Sequence, residues 1–360
     1  MAQIDAFFEM MHNLGASDLH LSSGSQPIIR LRGDMQRIKY KVMEHEELKA
    51  MLYEICPEAK IKQFEETGDI DFSYEVPHMA RYRANFFMQR RGVGAVFREI
   101  PQKILTIEDL NLPEILRSLA MLPKGLVLVT GPTGSGKSTT LAAIIDYVNK
   151  SRKDHILTIE DPIEFVHEPI NCLINQREVG RDTKSFQAAL RGALREDPDV
   201  ILVGEMRDLE TIQLALEAAE TGHLVFGTLH TISASKTIDR IIEVFPGELQ
   251  GQIRSGLADS LRAVVAQTLF KRIDMPGRVA ALEILIATPA VRNLIRENKN
   301  FQINSVIETG RKFGMQALDD AIMKLVEAQI IDPLDAYNQA VNKSKFRDLL
   351  AEPPLDVTEM

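Results

Sequence analysis

The chain contains no tryptophan and only two cysteines among its 360 residues. Cys56 and Cys172 stand far apart and outside any CxxC spacing, which argues against a disulfide framework and against a cysteine-built zinc site. Long apolar runs are missing too. None approaches the roughly eighteen residues needed to cross a bilayer, and Met1-Ala2-Gln3-Ile4-Asp5 puts no basic region ahead of an apolar one. The expectation is a cytoplasmic protein that reaches a membrane only through an embedded partner. Positive charge is also short: 42 Lys+Arg face 51 Asp+Glu, giving a formal net charge of -9 and a pI near 5.5. That balance argues against nucleic acid as a general partner. With 45% hydrophobic and 26% charged residues, the composition is that of an ordinary globular chain, long enough for two or three domains.

What is present is a nucleotide signature. Gly131-Pro132-Thr133-Gly134-Ser135-Gly136-Lys137-Ser138-Thr139 has two glycines separated by four residues and followed by Lys and Ser, the phosphate-loop spacing. Leu126 to Thr130 reads as a strand before it, and Leu141, Ile144, Ile145 and Val148 give the following stretch helical spacing. Strand, loop and helix in that order turn backbone N-H groups toward phosphates at a helix N-terminus. In this reading Lys137 reaches the β- and γ-phosphates and Ser138 offers its hydroxyl to Mg²⁺.

Ahead of the loop, the spacing predicts a short amphipathic helix ending at Gly15, three short strands up to Tyr40, a helix over 44–64 and three further strands up to Glu99. Pro101, Pro113 and Pro123 flank a weakly helical stretch read as a connector. From Gly125 strands and helices alternate as in a parallel-sheet α/β domain, ending in two strand-like stretches around the turn 271–277. After Pro289 the pattern is helical, with a polar tail from Glu352.

Two strand ends supply carboxylates. Thr158-Ile159-Glu160-Asp161-Pro162-Ile163-Glu164-Phe165 places acids after one strand, and Val200-Ile201-Leu202-Val203-Gly204-Glu205 ends a buried strand in Gly and Glu. Acids after strands are ordinarily solvated turn residues; a phosphate loop in the same domain shifts that balance. His223 and His230 bracket the strand from Leu224 to Leu229. Arg81 and Arg83 alternate along one strand face, where they either cover a nucleotide or line a solvated edge.

Taken in order, the loop, 158–165, 200–205, and Gly222-His223 with Thr228-Leu229-His230-Thr231 resemble the Walker A, aspartate, Walker B and histidine boxes of the ATPases of type II secretion and type IV pili. Nearly the whole chain takes part. Gly15-Ala16-Ser17-Asp18-Leu19-His20, Leu194-Arg195-Glu196-Asp197-Pro198-Asp199 and Ala290-Val291-Arg292-Asn293-Leu294-Ile295-Arg296-Glu297 bring it nearest the pilus-retraction ATPases, Val291 replacing the usual Ile. The four-cysteine insertion and extra N-terminal domain of assembly relatives have no counterpart.

The resemblance implies an α/β chain with a PAS-like domain over 1–100, a linker over 101–124, a RecA-like ATPase domain over 125–288 and a helical region over 289–360. It implies a homohexamer that hydrolyses ATP with Mg²⁺ to retract pili, bound to an inner-membrane platform protein at the pilus base. Glu164 is then the catalytic base with Glu160 in reserve, Glu205 the Mg²⁺-linked carboxylate, His230 the γ-phosphate sensor and His223 its partner. Arg81, Arg83, Arg98, Arg195 and Arg207 are the candidates to stabilise transferred phosphate. The competing expectations are an assembly or secretion motor of the same superfamily, and a nucleotide-binding regulator without turnover.

Overall fold

The computed structural model describes residues 2–31, 33–77, 79–100 and 103–350. The chain divides into two compact units, Met1–Lys103 with Pro162–Val166, and Ile104–Asp161 with His167–Met360.

The first unit opens with α1 (Asp5–Leu14), whose spacing buries Phe7, Phe8 and Met11, and which stops at Gly15 in the left-handed conformation. Six strands follow in the antiparallel order β3-β2-β1-β6-β5-β4. They are β1 (Asp18–Ser22), β2 (Ile28–Leu31), β3 (Asp34–Arg37), β4 (Asp69–Val76), β5 (Ala80–Gln89) and β6 (Gly92–Ile100). Side chains alternate between faces. Leu19, Leu21, Ile70, Phe72, Tyr82, Ala84, Phe86, Ala95 and Phe97 join the apolar core with α1, while Asp18, His20, Arg30, Asp71, Arg83 and Arg98 occupy the other face. The single helix expected over 44–64 is two, α2 (His45–Tyr53) and α3 (Glu58–Thr67), because Pro57 holds an extended conformation as the cap of the second.

The second unit begins within the stretch expected as a connector. Ile107 and, on α4 (Ile115–Ala120), Leu116 and Leu119 are buried in its core. Pro101 lies outside the described residues, as does the tail from Glu352. The sheet has the order β13-β12-β7-β11-β10-β8-β9. Its strands are β7 (Gly125–Thr130), β8 (His155–Glu160), β9 (Leu173–Glu178), β10 (Val200–Val203), β11 (Leu224–Leu229), β12 (Leu261–Lys271) and β13 (Arg278–Ile286). All neighbours are parallel except β13, which runs antiparallel to β12 at the edge.

Helices cover both faces, so the central strands are apolar throughout. Val127, Val129, Ile156 and Phe226 pack with α5 (Lys137–Ser151), while Leu126, Leu128, Ile201 and Val225 face α6 (Phe186–Ala193), α7 (Leu209–Thr221), α8 (Ala234–Glu243) and α9 (Gly247–Ser260). Beyond the sheet come α10 (Pro289–Arg296), α11 (Ile303–Thr309), α12 (Leu318–Glu327), α13 (Pro333–Gln339) and α14 (Ser344–Arg347). The last three close a separate core over Phe270, Val279 and Ala281.

Candidate functional site

Strand β7 ends at Thr130 and α5 starts at Lys137, so the glycine-rich loop lies at the carboxyl edge of a parallel sheet, where ligands of this architecture bind. Gly131 has φ 144°, and a Cβ there would stand 2.4 Å from the backbone oxygen of Gln267. A side chain is therefore excluded at the turn out of β7. Lys137 folds back over the loop, its Nζ donating to the carbonyl oxygens of Gly131 at 2.8 Å and Pro132 at 3.1 Å. Pro132, Thr133 and Gly134 are exposed, Gly136, Ser138 and Thr139 half-buried, and Ser135 buried with its Oγ unpartnered.

One buried side chain that sequence reading did not single out fixes the loop from the neighbouring strand. Gln267 of β12, 3% exposed, donates from Nε2 to the Ser135 carbonyl at 2.6 Å and accepts the Thr140 hydroxyl at 2.7 Å. The one hint in the sequence is an amide inside the largely apolar run of β12, which needs partners for both ends without saying where they lie.

The other strand ends converge on the same edge. Glu160 closes β8, its Oε1 accepting the Thr158 hydroxyl at 2.7 Å and the Gln176 amide at 3.3 Å. Gly204 follows β10, and a Cβ there would lie 3.1 Å from the Ile159 oxygen and 3.2 Å from the Glu160 Cα, so the two strand ends approach closely only with glycine. Glu205 comes next. Its Oε1 accepts His230 Nε2, beyond the end of β11, at 2.9 Å and Arg207 Nε at 2.5 Å. Burial pushes the Glu205 carboxyl up, but Arg207 and His230 outweigh it and hold it below the ordinary carboxylate value. The edge thus assembles a phosphate loop, two carboxylates, an imidazole and a guanidinium.

His223 precedes β11, while His230 follows it. Six strand residues separate them by about 20 Å. His223 Nδ1 meets the Ala218 carbonyl at 2.9 Å, where α7 ends, so within one chain His230, and not His223, stands beside Glu205. Bracketing a strand places two residues at opposite edges of the sheet. Arg195, exposed, follows α6 on the edge where β10 begins. Arg81, Arg83 and Arg98 belong to the first unit, as does Glu164 through the segment Pro162–Val166.

Comparison with known proteins agrees with this architecture. Residues 2–331 match the profile of the family described as type II/IV secretion system protein. The type IV pilus retractation ATPase PilT of Pseudomonas aeruginosa is 60% identical over 332 residues, covering 92% of this chain and 96% of the relative. A twitching motility protein of Neisseria gonorrhoeae is 53% identical over 94% of this chain and 92% of its own length. A crystal structure of the pilus retraction motor PilT with bound ADP superposes with a TM-score of 0.88 at 45% identity, covering 96% of this chain and 98% of that one. The expected fold class, a PAS-like mixed domain followed by a RecA-like domain with a helical extension, is borne out by that likeness. On its family match and its end-to-end relatives, the chain belongs to the type II/IV secretion system protein family.

Proposed function

We propose that the chain is a Mg²⁺-dependent ATPase that powers type IV pilus retraction as a homohexameric ring, with a division of labour along the bounds 1–100, 101–124, 125–288 and 289–360. The observation that carries the reading is the sheet edge where Lys137 and the loop share one rim with the Glu205–His230–Arg207 cluster. Likeness to PilT adds the direction of the work.

In this reading the loop's N-H groups bind phosphate, and Lys137 exchanges two loop carbonyls for β- and γ-phosphate oxygens. Among the described residues no group of three or more acidic, His or Cys side chains forms a metal cage. The oxygen donors at the loop rim, the Ser138 hydroxyl and the Glu205 carboxylate, are of the kind that suits Mg²⁺, which is held by few protein oxygens together with substrate phosphates. Ser138 and Glu205 would hold it, and when bound it neutralises charge on the phosphates.

Glu164 orients the attacking water, with Glu160 in reserve. His230 exchanges its bond to Glu205 for the γ-phosphate and so reports its presence. Arginines of a neighbouring copy complete the site, and a site shared in this way requires head-to-tail contacts, which either close into a ring or run on as a filament; the ring is the reading proposed. The chain works on the cytoplasmic side, docked on an inner-membrane platform protein. No described helix is long and apolar enough to cross a membrane.

Phosphate release and particle mass test the reading together. The wild-type chain should form a ring and turn over with Mg²⁺, and Lys137→Ala should remain folded by circular dichroism while losing turnover. A silent monomer overturns the motor, and nucleotide binding without phosphate release leaves a regulator.

A further inference from the structure

The polar face of the first sheet carries a built arrangement around Asp18, a residue without a role so far, beside the phosphate candidates Arg83 and Arg98. Strand register sets Arg30, Asp18, Arg98, Arg83 and Ser73 side by side in one row across β2, β1, β6, β5 and β4. Asp18 is only 3% exposed, and a carboxylate that deep must be paired. Its Oδ1 accepts Arg98 Nε at 2.8 Å, its Oδ2 accepts the Ser17 hydroxyl at 2.7 Å, and Arg30 Nε stands 3.8 Å away.

The manner of the pairing matters more than its presence. A carboxylate often takes arginine by a two-nitrogen fork, which occupies at least one η nitrogen. Asp18 grips the inner nitrogen instead. The Arg98 side chain stays 69% exposed, and among the described residues neither η nitrogen has a protein partner. Of the arginines nearby, Arg81 is held differently and Arg83 only loosely. Arg81 is 7% exposed with Nη2 on the Ser73 hydroxyl, and Arg83 turns its Nε toward Asp71 at 3.7 Å. His20, next along the same face, adds no competing cation, because burial, aided by Arg30 and Arg98 against the pull of Asp18, holds its pKa below the ordinary value.

We propose that Asp18 is a positioning residue for phosphoryl transfer: by clamping Arg98 at Nε it presents the free guanidinium edge to phosphate oxygens of ATP bound to a neighbouring copy. This rests on the reading of the chain as a ring ATPase. The chemistry favours such a clamp, since a planar fork matches phosphate oxygens and a gripped Nε removes the torsional freedom of a long side chain before the ligand arrives. Lysine offers a single nitrogen and cannot be both gripped and presented.

Steady-state ATPase of the full chain, with circular dichroism and particle mass as controls, tests this. Arg98→Ala should lower kcat at least about a hundredfold. Arg98→Lys should be nearly as poor. Asp18→Asn should lower kcat about tenfold with KM for ATP within about twofold, and should cost nothing further in the Arg98→Ala background. Millimolar guanidinium should restore part of the turnover of Arg98→Ala but not of the double variant, a dependence that a merely structural Asp18 would not produce.

Additive losses, or rescue indifferent to Asp18, overturn the clamp. Should Asp18→Asn fail to fold, a near wild-type Arg98→Lys overturns it alone. Wild-type turnover in Arg98→Ala removes Arg98 from the reaction, and the clamp with it, while leaving the Lys137 test of the ATPase reading intact.

Discussion

Glu160 and Glu164 lie in one acidic stretch yet in different compact units, Glu160 at the end of β8 and Glu164 in Pro162–Val166. Glu164→Gln is expected to bind ATP and hydrolyse it about a hundredfold more slowly, since the amide keeps the shape and loses the proton acceptor. Single-turnover phosphate release separates binding from chemistry, and a dead Glu160→Gln beside an active Glu164→Gln would transfer the role. Gln267→Leu leaves the Ser135 carbonyl and the Thr140 hydroxyl unpaired, a loss of about 2 kcal/mol. It should lower the thermal midpoint and weaken nucleotide binding, read by a fluorescent ATP analogue; unchanged affinity would mean the loop holds its shape alone. Lys137 and Glu205 were legible in the sequence because their motifs are local. Gln267 was not, because its partners lie more than a hundred residues away and only the sheet brings them together.

Most elements whose burial is periodic were legible, although α8, which buries Ile238, Ile241 and Ile242 at helical spacing, was not. Strand β9 reads Leu-Ile-Asn-Gln-Arg-Glu, an edge strand with few apolar residues, and α9 contains Gly251 and Gly256, which weaken a helical reading. Both went unread. Helix α10 shows the opposite case: Val291 and Ile295 are fully buried, as their spacing requires, and Thr288 caps its start. Its basic residues do not simply face solvent. Arg296 pairs with Asp259 of α9, and Arg292 is half-buried with an unpartnered Nε. Because the Arg296 pair is exposed, its loss should cost the fold no more than about 1 kcal/mol, to which the half-buried Arg292 adds its own share. Arg292→Glu with Arg296→Glu is then expected to keep basal ATPase and the ring while abolishing pilus retraction in cells. Normal retraction would reduce α10 to scaffolding, and loss of the ring would make it structural.

For the molecule as a whole, one buried imidazole couples stability to pH. His167 is 6% exposed with Nδ1 unpartnered, and burial lowers its pKa from 6.5 to about 4 despite Asp146. The folded chain therefore prefers the neutral ring. Its contribution is full above pH 6.5, falls as the unfolded chain takes up a proton below that value, and levels off below about pH 4. Such a shift corresponds to about 3 kcal/mol. Denaturant titrations from pH 7 to 4 should show a shallower loss in His167→Gln than in the wild type; parallel slopes would assign the acid sensitivity elsewhere. Both folds were legible in outline because alternation marks one kind of sheet and unbroken apolar runs the other. In the first sheet that alternation carries a further consequence, one of parity. Asp18 and Arg98 face the polar side only because odd and even positions are kept apart along the two paired strands that carry them. A single residue added to or deleted from β1 or β6 must be taken up by a bulge, or it turns the clamp toward the core and Leu19 or Phe97 toward water.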